Sequence, residues 1–225
     1  MTPHAAHVLE DLRSRLRPAA VARVGGFRPP EDPTTSWFCR AVGLPGETVP
    51  QWQGEPMFPL LQVRVSELPV VPEALAGIAL LVLFLNRHEY PFDRPHGEGW
   101  LIREYTRLEG LVPLQADSGP FRPFPVAWNR VDDDAPGWED AWELVDLGPV
   151  NDDEAASNAF FNAFSRYGGT KFGGYPTEIQ HGVGLQDYVF QVASEEKVGW
   201  MWADNGRGYF FRTPSGDWRW ACQFY

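Results

Sequence analysis

Apolar residues follow two different periods along this chain, and the periods divide it into elements. Val8, Leu9, Leu12 and Leu16 share one face at helical spacing with charges opposite, which predicts an amphipathic helix over residues 5–17 ended by Pro18. A second, central helix is predicted near 152–167. Asn151 and Glu154 have the spacing of a capping box, Phe160, Phe161 and Phe164 supply an apolar face, and Gly168 suits the stop. Elsewhere the pattern is that of strands. Residues 58–65 alternate, residues 78–85 form an unbroken apolar run, and residues 100–105 are a further strand. The run at 75–85 is too short for a bilayer span, which takes about 20 residues. A short extended run precedes Gly25-Gly26, and residues 68–76 suit a short helical turn. Residues 37–59, 86–98 and 108–125 are broken by glycine, proline or polar residues, and Asp132 to Asp134 open an acidic, turn-rich connector.

The C-terminal pattern is the most regular. Residues 188–193, 198–203, 209–212 and 218–225 are short, aromatic and separated by turns, and Asn205-Gly206 suits a tight hairpin. Alternation groups Trp218, Trp220, Cys222 and Phe224 on one face. Glycine and proline together supply 43 residues, which favours turns and short strands over long helices. The expected fold is α+β, mostly antiparallel sheet, in a single domain over 1–225 with an N-terminal and a central helix.

Thirty acidic against nineteen basic residues give a net charge of −11, which disfavours nucleic acid and anionic membrane surfaces as partners and favours a basic protein. Cys39 and Cys222 have no paired spacing and read as reduced thiols; the N-terminal stretch, with Glu10 and Asp11, is not a signal peptide, so a cytoplasmic location is expected.

The stretch GGTKFGGYPTEIQ, residues 168–180, has an echo. Ala22 to Phe27, with Gly25-Gly26, resembles Thr170 to Tyr175, with Gly173-Gly174; each precedes an apolar-Gln-Val strand, Leu61-Gln62-Val63 and Phe190-Gln191-Val192. A duplication with halves at about 20–130 and 150–225 accounts for this order. Gln62 and Gln191, polar groups in apolar strands, need partners, and loop backbone is the simplest.

KFGGYPTEIQ, then YVFQV, then GWMWADNGRGYFF resembles the YwqG-like family of bacterial proteins, as do ARVGGFRPP and PMFPLLQVRVSELP in the first half. The first loop departs from the family pattern at Ala22 and in the position of Pro29. The resemblance implies an α+β fold with two related halves and, the family being of unknown function, no activity. It also implies an immunity or antitoxin role as one hypothesis.

Catalytic signals are sparse. Lys171 lies between glycine pairs, but neither GxxxxGK[ST] nor GxGxxG occurs, so a structural turn is favoured over an anion cradle. His181, after Gln180, forms an acid–base pair with Asp204 only if the fold brings them together. His88, His96 and Glu98 lack a metal-ligand spacing, and no cofactor motif is present. Trp200 and Trp202 are core residues or, if exposed, a binding platform. Gly25, Gly26, Gly173, Gly174 and Pro176 are expected to shape loops. The leading expectation is a non-catalytic protein-binding role, such as an inhibitor of a basic partner. The rival is an anion- or small-molecule-binding enzyme using Lys171, His181 and Asp204 in a pocket between the halves.

Overall fold

The computed structural model describes all residues, 1–225. Ten strands build one antiparallel sheet: β1 (Arg17–Val24), β2 (Trp37–Phe38), β3 (Phe58–Arg64), β4 (Leu80–Leu85), β5 (Trp100–Tyr105), β6 (Phe124–Asp134), β7 (Lys171–Gly173), β8 (Tyr188–Ala193), β9 (Arg207–Arg212) and β10 (Trp218–Gln223). Their order is β10-β9-β8-β7-β1-β6-β2-β3-β4-β5. Each wing is a three-strand meander joined by a short strand to the central β1–β6 pair. The sheet rolls until its ends face one another: Glu104 on β5 accepts from Arg212 on β9 and from the Trp218 indole on β10. The largest apolar cluster fills this nearly closed barrel with residues from both wings.

The wings match in register. Trp37 opposite Gln62 corresponds to Lys171 opposite Gln191, and Phe38 opposite Leu61 to Phe172 opposite Phe190. The third strands follow suit, with Val82 opposite Gln62 and Tyr209 opposite Gln191, and each wing has an irregularity at the same place, between Pro59 and Leu61 and between Tyr188 and Phe190. Gln62 donates to the carbonyls of Pro33 and Thr35 and accepts from the Val42 amide. Gln191 donates to the carbonyls of Tyr167 and Gly169 and accepts from the Thr177 amide. Both glutamines are fully buried, so these bonds supply the partners that burial demands.

The glycine pairs do not correspond. Gly25-Gly26 follows the end of β1, whereas Gly173-Gly174 leaves β7, the strand paired with Gln191. The register partner of Gly173 in the first wing is Cys39, which follows Phe38 and has φ +58° against +71° for Gly173. The first-wing corner is thus held in the left-handed region by a non-glycine residue, which no glycine search finds.

The helices lie mostly apart from the barrel core. They are α1 (Pro3–Ser14), α2 (Trp138–Ala141), α3 (Gly148–Asn151) and α4 (Glu154–Ala163), with a separate cluster in which Leu9, Leu12, Val150 and Phe160 are buried. α1 starts on a Thr2 cap and ends at Ser14, short of the expected Pro18. α4 starts two residues beyond the predicted box because Asp153, accepting from the Ala156 amide, is its cap. Phe160 and Phe164 are buried one turn apart, while Phe161 turns away from that face and is 56% exposed.

Two further expectations are corrected. Residues 198–203 are not a strand: they lie in the connection from β8 to β9, where Gly199, Ala203 and Asn205 all have positive φ, and Asn205-Gly206 is not a two-residue hairpin. This connection folds inward and buries Trp200 and Trp202 in the barrel cluster, edge to face with ring centres 4.9 Å apart. Asp132 to Asp134, expected as a connector, continue β6, whose burial shows no clean alternation and so leaves no periodic signal.

Candidate functional site

The second glycine loop is built around a buried ion pair. Lys171 Nζ lies 2.6 Å from Asp134 Oδ2 and 3.0 Å from Thr177 Oγ1, and both charged side chains are completely buried. Burial pushes the Lys171 ammonium down to about 8 against the opposing pull of Asp134. The Tyr175 and Tyr167 amides also donate to Asp134. Gly174 (φ +66°) lets the chain approach: a Cβ there would run into Asp134 Oδ2. A charge pair so enclosed, with its remaining bonds filled by two backbone amides and the Thr177 hydroxyl, is a positioning device, closed to any anion.

From this anchor the loop is tied down residue by residue. Thr177 donates its amide to Gln191 and accepts from the Tyr209 hydroxyl with its carbonyl. The amides of Ile179 and Gln180 donate to Gln223 Oε1, and Gln223 Nε2 donates to the His181 carbonyl. Pro176 is buried beneath. Gln180 donates its own side chain to the Phe224 carbonyl, and exposed His181 contacts Gln223 through Nδ1. Asp204 is exposed and accepts from the Tyr225 amide with its backbone carbonyl. No hydrogen bond joins Lys171, His181 and Asp204, and the first of the three is sealed from solvent. No group of three His, Cys, Asp or Glu side chains is gathered in a metal-holding arrangement. His96 instead accepts from the Ile102 amide, and desolvation lowers its pKa. Burial pushes the thiols of Cys39 and Cys222 up to about 12.

The loop carries a second carboxylate to α2. Glu178 accepts from the Glu139 amide at the start of α2, while Asp140 on α2 accepts from the Gly184 amide at the far end of the loop. Burial, then the nearby Glu178 charge, raise the Asp140 carboxyl to about 7, and burial raises Glu178 as well. Arg166 completes the clasp by donating to the carbonyls of Pro136 and Phe160 while lying over the Phe160 ring.

The outer face so fixed is aromatic and acidic. Trp142 is 43% exposed and Phe161 56%. Trp138, half-buried between them, stacks on Phe161 with ring centres 5.4 Å apart and meets Trp142 edge-on at 6.3 Å. Between Val131 and Ser165 the chain has ten acidic residues and no Lys, Arg or His, so this segment accounts for nearly all of the net charge. Asp132, Asp133, Glu139, Glu143, Asp146, Asp152 and Glu154 are exposed. Sequence reading registered the acidic start of this segment, Asp132 to Asp134, and the three phenylalanines, and it gave no role to Trp138, Trp142, Asp134 or Glu178. A charge count in a sliding window finds the segment; nothing in sequence finds the pairing of Asp134 with a lysine 37 positions away.

A family model described as a domain of unknown function, DUF1963, matches residues 43–216. No curated protein matches the chain.

Proposed function

Since the chain belongs to the DUF1963 family of domains of unknown function, its role has to be read from its own surface, and we propose that it is a non-catalytic binder of a basic protein. The observation that carries this reading is the face of α2 and α4, where exposed Trp142 and Phe161 sit within a segment of ten acidic and no basic residues. Aromatic anchors surrounded by one sign of charge have the composition of an interface: the rings supply contact area, and the carboxylates steer a cationic partner. An inhibitor of the immunity type, acting in a bacterial cytoplasm on a basic toxin or effector, fits this arrangement. We further read the chain as YwqG-like and its wings as copies of one duplicated unit, supported by the matched register and the paired glutamine clamps of Gln62 and Gln191.

The test is binding to basic proteins encoded beside this gene, measured by calorimetry at several salt concentrations. Trp142→Ala should weaken binding by about 30-fold, the scale of a hot-spot residue. Charge reversal by Glu139→Lys with Glu143→Lys should slow association, with wild-type binding falling as salt rises. A partner bound equally well by the Trp142 variant and indifferent to salt would sink the proposal.

A further inference from the structure

The first glycine loop, which the α2–α4 face leaves unused, walls a cavity of about 270 Å³ against β6 and the turn after β3. The Gly25 amide donates to the Pro125 carbonyl at 2.8 Å, and a Cβ on Gly25 would lie 2.8 Å from the Phe124 ring, so glycine lets the loop lie this close to β6. Phe27 and Pro29 of the loop and Pro125 and Trp128 of β6 supply apolar walls. Buried Ser36 joins them, accepting from the Val126 amide with its carbonyl and from the Arg64 amide and the Trp128 indole with its hydroxyl.

One polar group in the lining is left open. Glu67 is half-buried, and its Oε2 accepts from the Ser36 amide at 2.9 Å, which pins the carboxylate head, not only its stem, at the cavity wall. Oε1 has no protein partner and stays within reach of solvent. Arginines of the flanking elements are engaged elsewhere: Arg64 on Asp32 at 2.8 Å, Arg28 on Glu31 at 3.6 Å, Arg130 on Asp132 at 2.7 Å, and Arg23 over the Phe27 ring. Glu67 joins none of these pairs.

The matched place in the second wing holds an ammonium of the chain's own. Pro125 lies opposite Trp37 as Val21 lies opposite Lys171, so Trp128 corresponds to Val24, and the pairs Ala22–Trp128 and Val24–Val126 agree with this. Lys197 reaches in there and donates from Nζ to the Val24 carbonyl at 2.7 Å. Lys197 stands six residues beyond Gln191; six beyond Gln62 stands Leu68, which is buried in the barrel cluster. The first wing therefore has the carboxylate and the aromatic walls without a lysine to meet them.

We propose that this cavity binds an organic ammonium ion carrying an apolar group. The ammonium donates to Glu67 Oε1, a charge-assisted bond, while the hydrocarbon lies against Phe27, Trp128 and the prolines, whose rings also favour a cation. An anion would face the Glu67 carboxylate, and a neutral ligand would leave it unpaired. No lining residue belongs to α2 or α4, so the site does not depend on the protein-binding face.

The test uses the full chain, labelled with nitrogen-15, titrated with benzylamine and benzyl alcohol while the Trp128 indole resonance is followed. Benzylamine should move that resonance saturably, with benzyl alcohol about tenfold weaker. Glu67→Gln keeps an acceptor for the Ser36 amide and removes the charge; it should weaken benzylamine about tenfold and leave benzyl alcohol unchanged. The same charge loss at exposed Glu55, by Glu55→Gln, should change neither. Should Glu67→Gln fail to fold, Phe27→Leu, which keeps apolar bulk and removes the ring, should weaken benzylamine about threefold. Nα-acetyl-lysine N-methylamide, titrated alongside, tells a lysine side chain from a free amine as the source by which of the two binds more tightly. An unmoved Trp128 resonance, benzyl alcohol binding as tightly as benzylamine, undiminished affinity in a folded Glu67 or Phe27 variant, or an equal loss in Glu55→Gln would overturn the assignment.

Discussion

The two wings share a backbone plan and differ in what covers it. Facing the barrel interior, the first wing carries the row Phe38, Leu61, Leu83, Ile102 and the second the row Phe172, Phe190, Phe210, Trp220. The aliphatic row and the aromatic row fill one cluster together, the stacked rings of the second lying 4.5 Å apart from Phe172 to Phe190 and from Phe190 to Phe210. The outer faces diverge far more. Val82 and Phe84 of the first wing are sealed by apolar neighbours such as Val42, Met57 and Leu111. To the glutamine clamp that both wings share, the corresponding side of the second wing adds the buried Lys171–Asp134 pair, tied to Thr177 by hydrogen bonds. A hydrocarbon cover is non-directional. A buried polar cover is satisfied by only one arrangement of the loop above it, and here that loop holds α2 and the exposed tryptophan face in place.

The sharpest break of this contrast is Lys171→Met. It strands the buried Asp134 carboxylate and should cost about 3–5 kcal/mol in urea unfolding, with the first wing offering no equivalent ion pair to break. A loss below 1 kcal/mol would show that the pair does not hold the loop.

The polar cover should also make stability depend on pH. The Asp140 carboxyl is raised to about 7 in the folded chain, so the folded state holds its proton more tightly than the unfolded state does. Its favourable contribution is complete below about pH 4, the ordinary aspartate range, and is lost as pH rises to about 7. Asp140→Asn should therefore gain on wild type by about 2–4 kcal/mol between pH 4 and pH 8. Parallel stability curves for the two proteins would refute this.

Gln62→Leu and Gln191→Leu ask whether the wings use one clamp. Each strands one amide and two carbonyls, and each should cost about 2–3 kcal/mol. Unequal losses, measured by denaturant titration, would mean that the matched register hides unmatched energetics. The smallest effects concern the corners. Gly173→Ala places a Cβ at positive φ and 3.3 Å from the Pro18 carbonyl oxygen, and should cost about 1 kcal/mol. Cys39→Gly relieves a left-handed backbone while losing a buried thiol, and its melting temperature should move little. A large drop for Cys39→Gly would place the weight on the side chain.

By itself the sequence determined what local periodicity and chain chemistry record. The strands at 58–64, 100–105 and 188–193 and both longer helices stand close to where hydrophobic spacing puts them, and the buried Gln62 and Gln191 were recognisable as polar intrusions in apolar strands. Only the folded chain decided the rest. β6 buries only Val126 and Asp134 and shows no alternation, Asp134 meets Lys171 across 37 positions, and Cys39 stands where Gly173 suggests a glycine. Trp200 and Trp202 owe their burial to a loop that turns inward, because glycine and left-handed residues permit it. The physical reason is range. Spacing along the chain encodes which face of an element is apolar, whereas a buried charge, a paired donor or an exposed aromatic face depends on neighbours that the chain brings together only on folding.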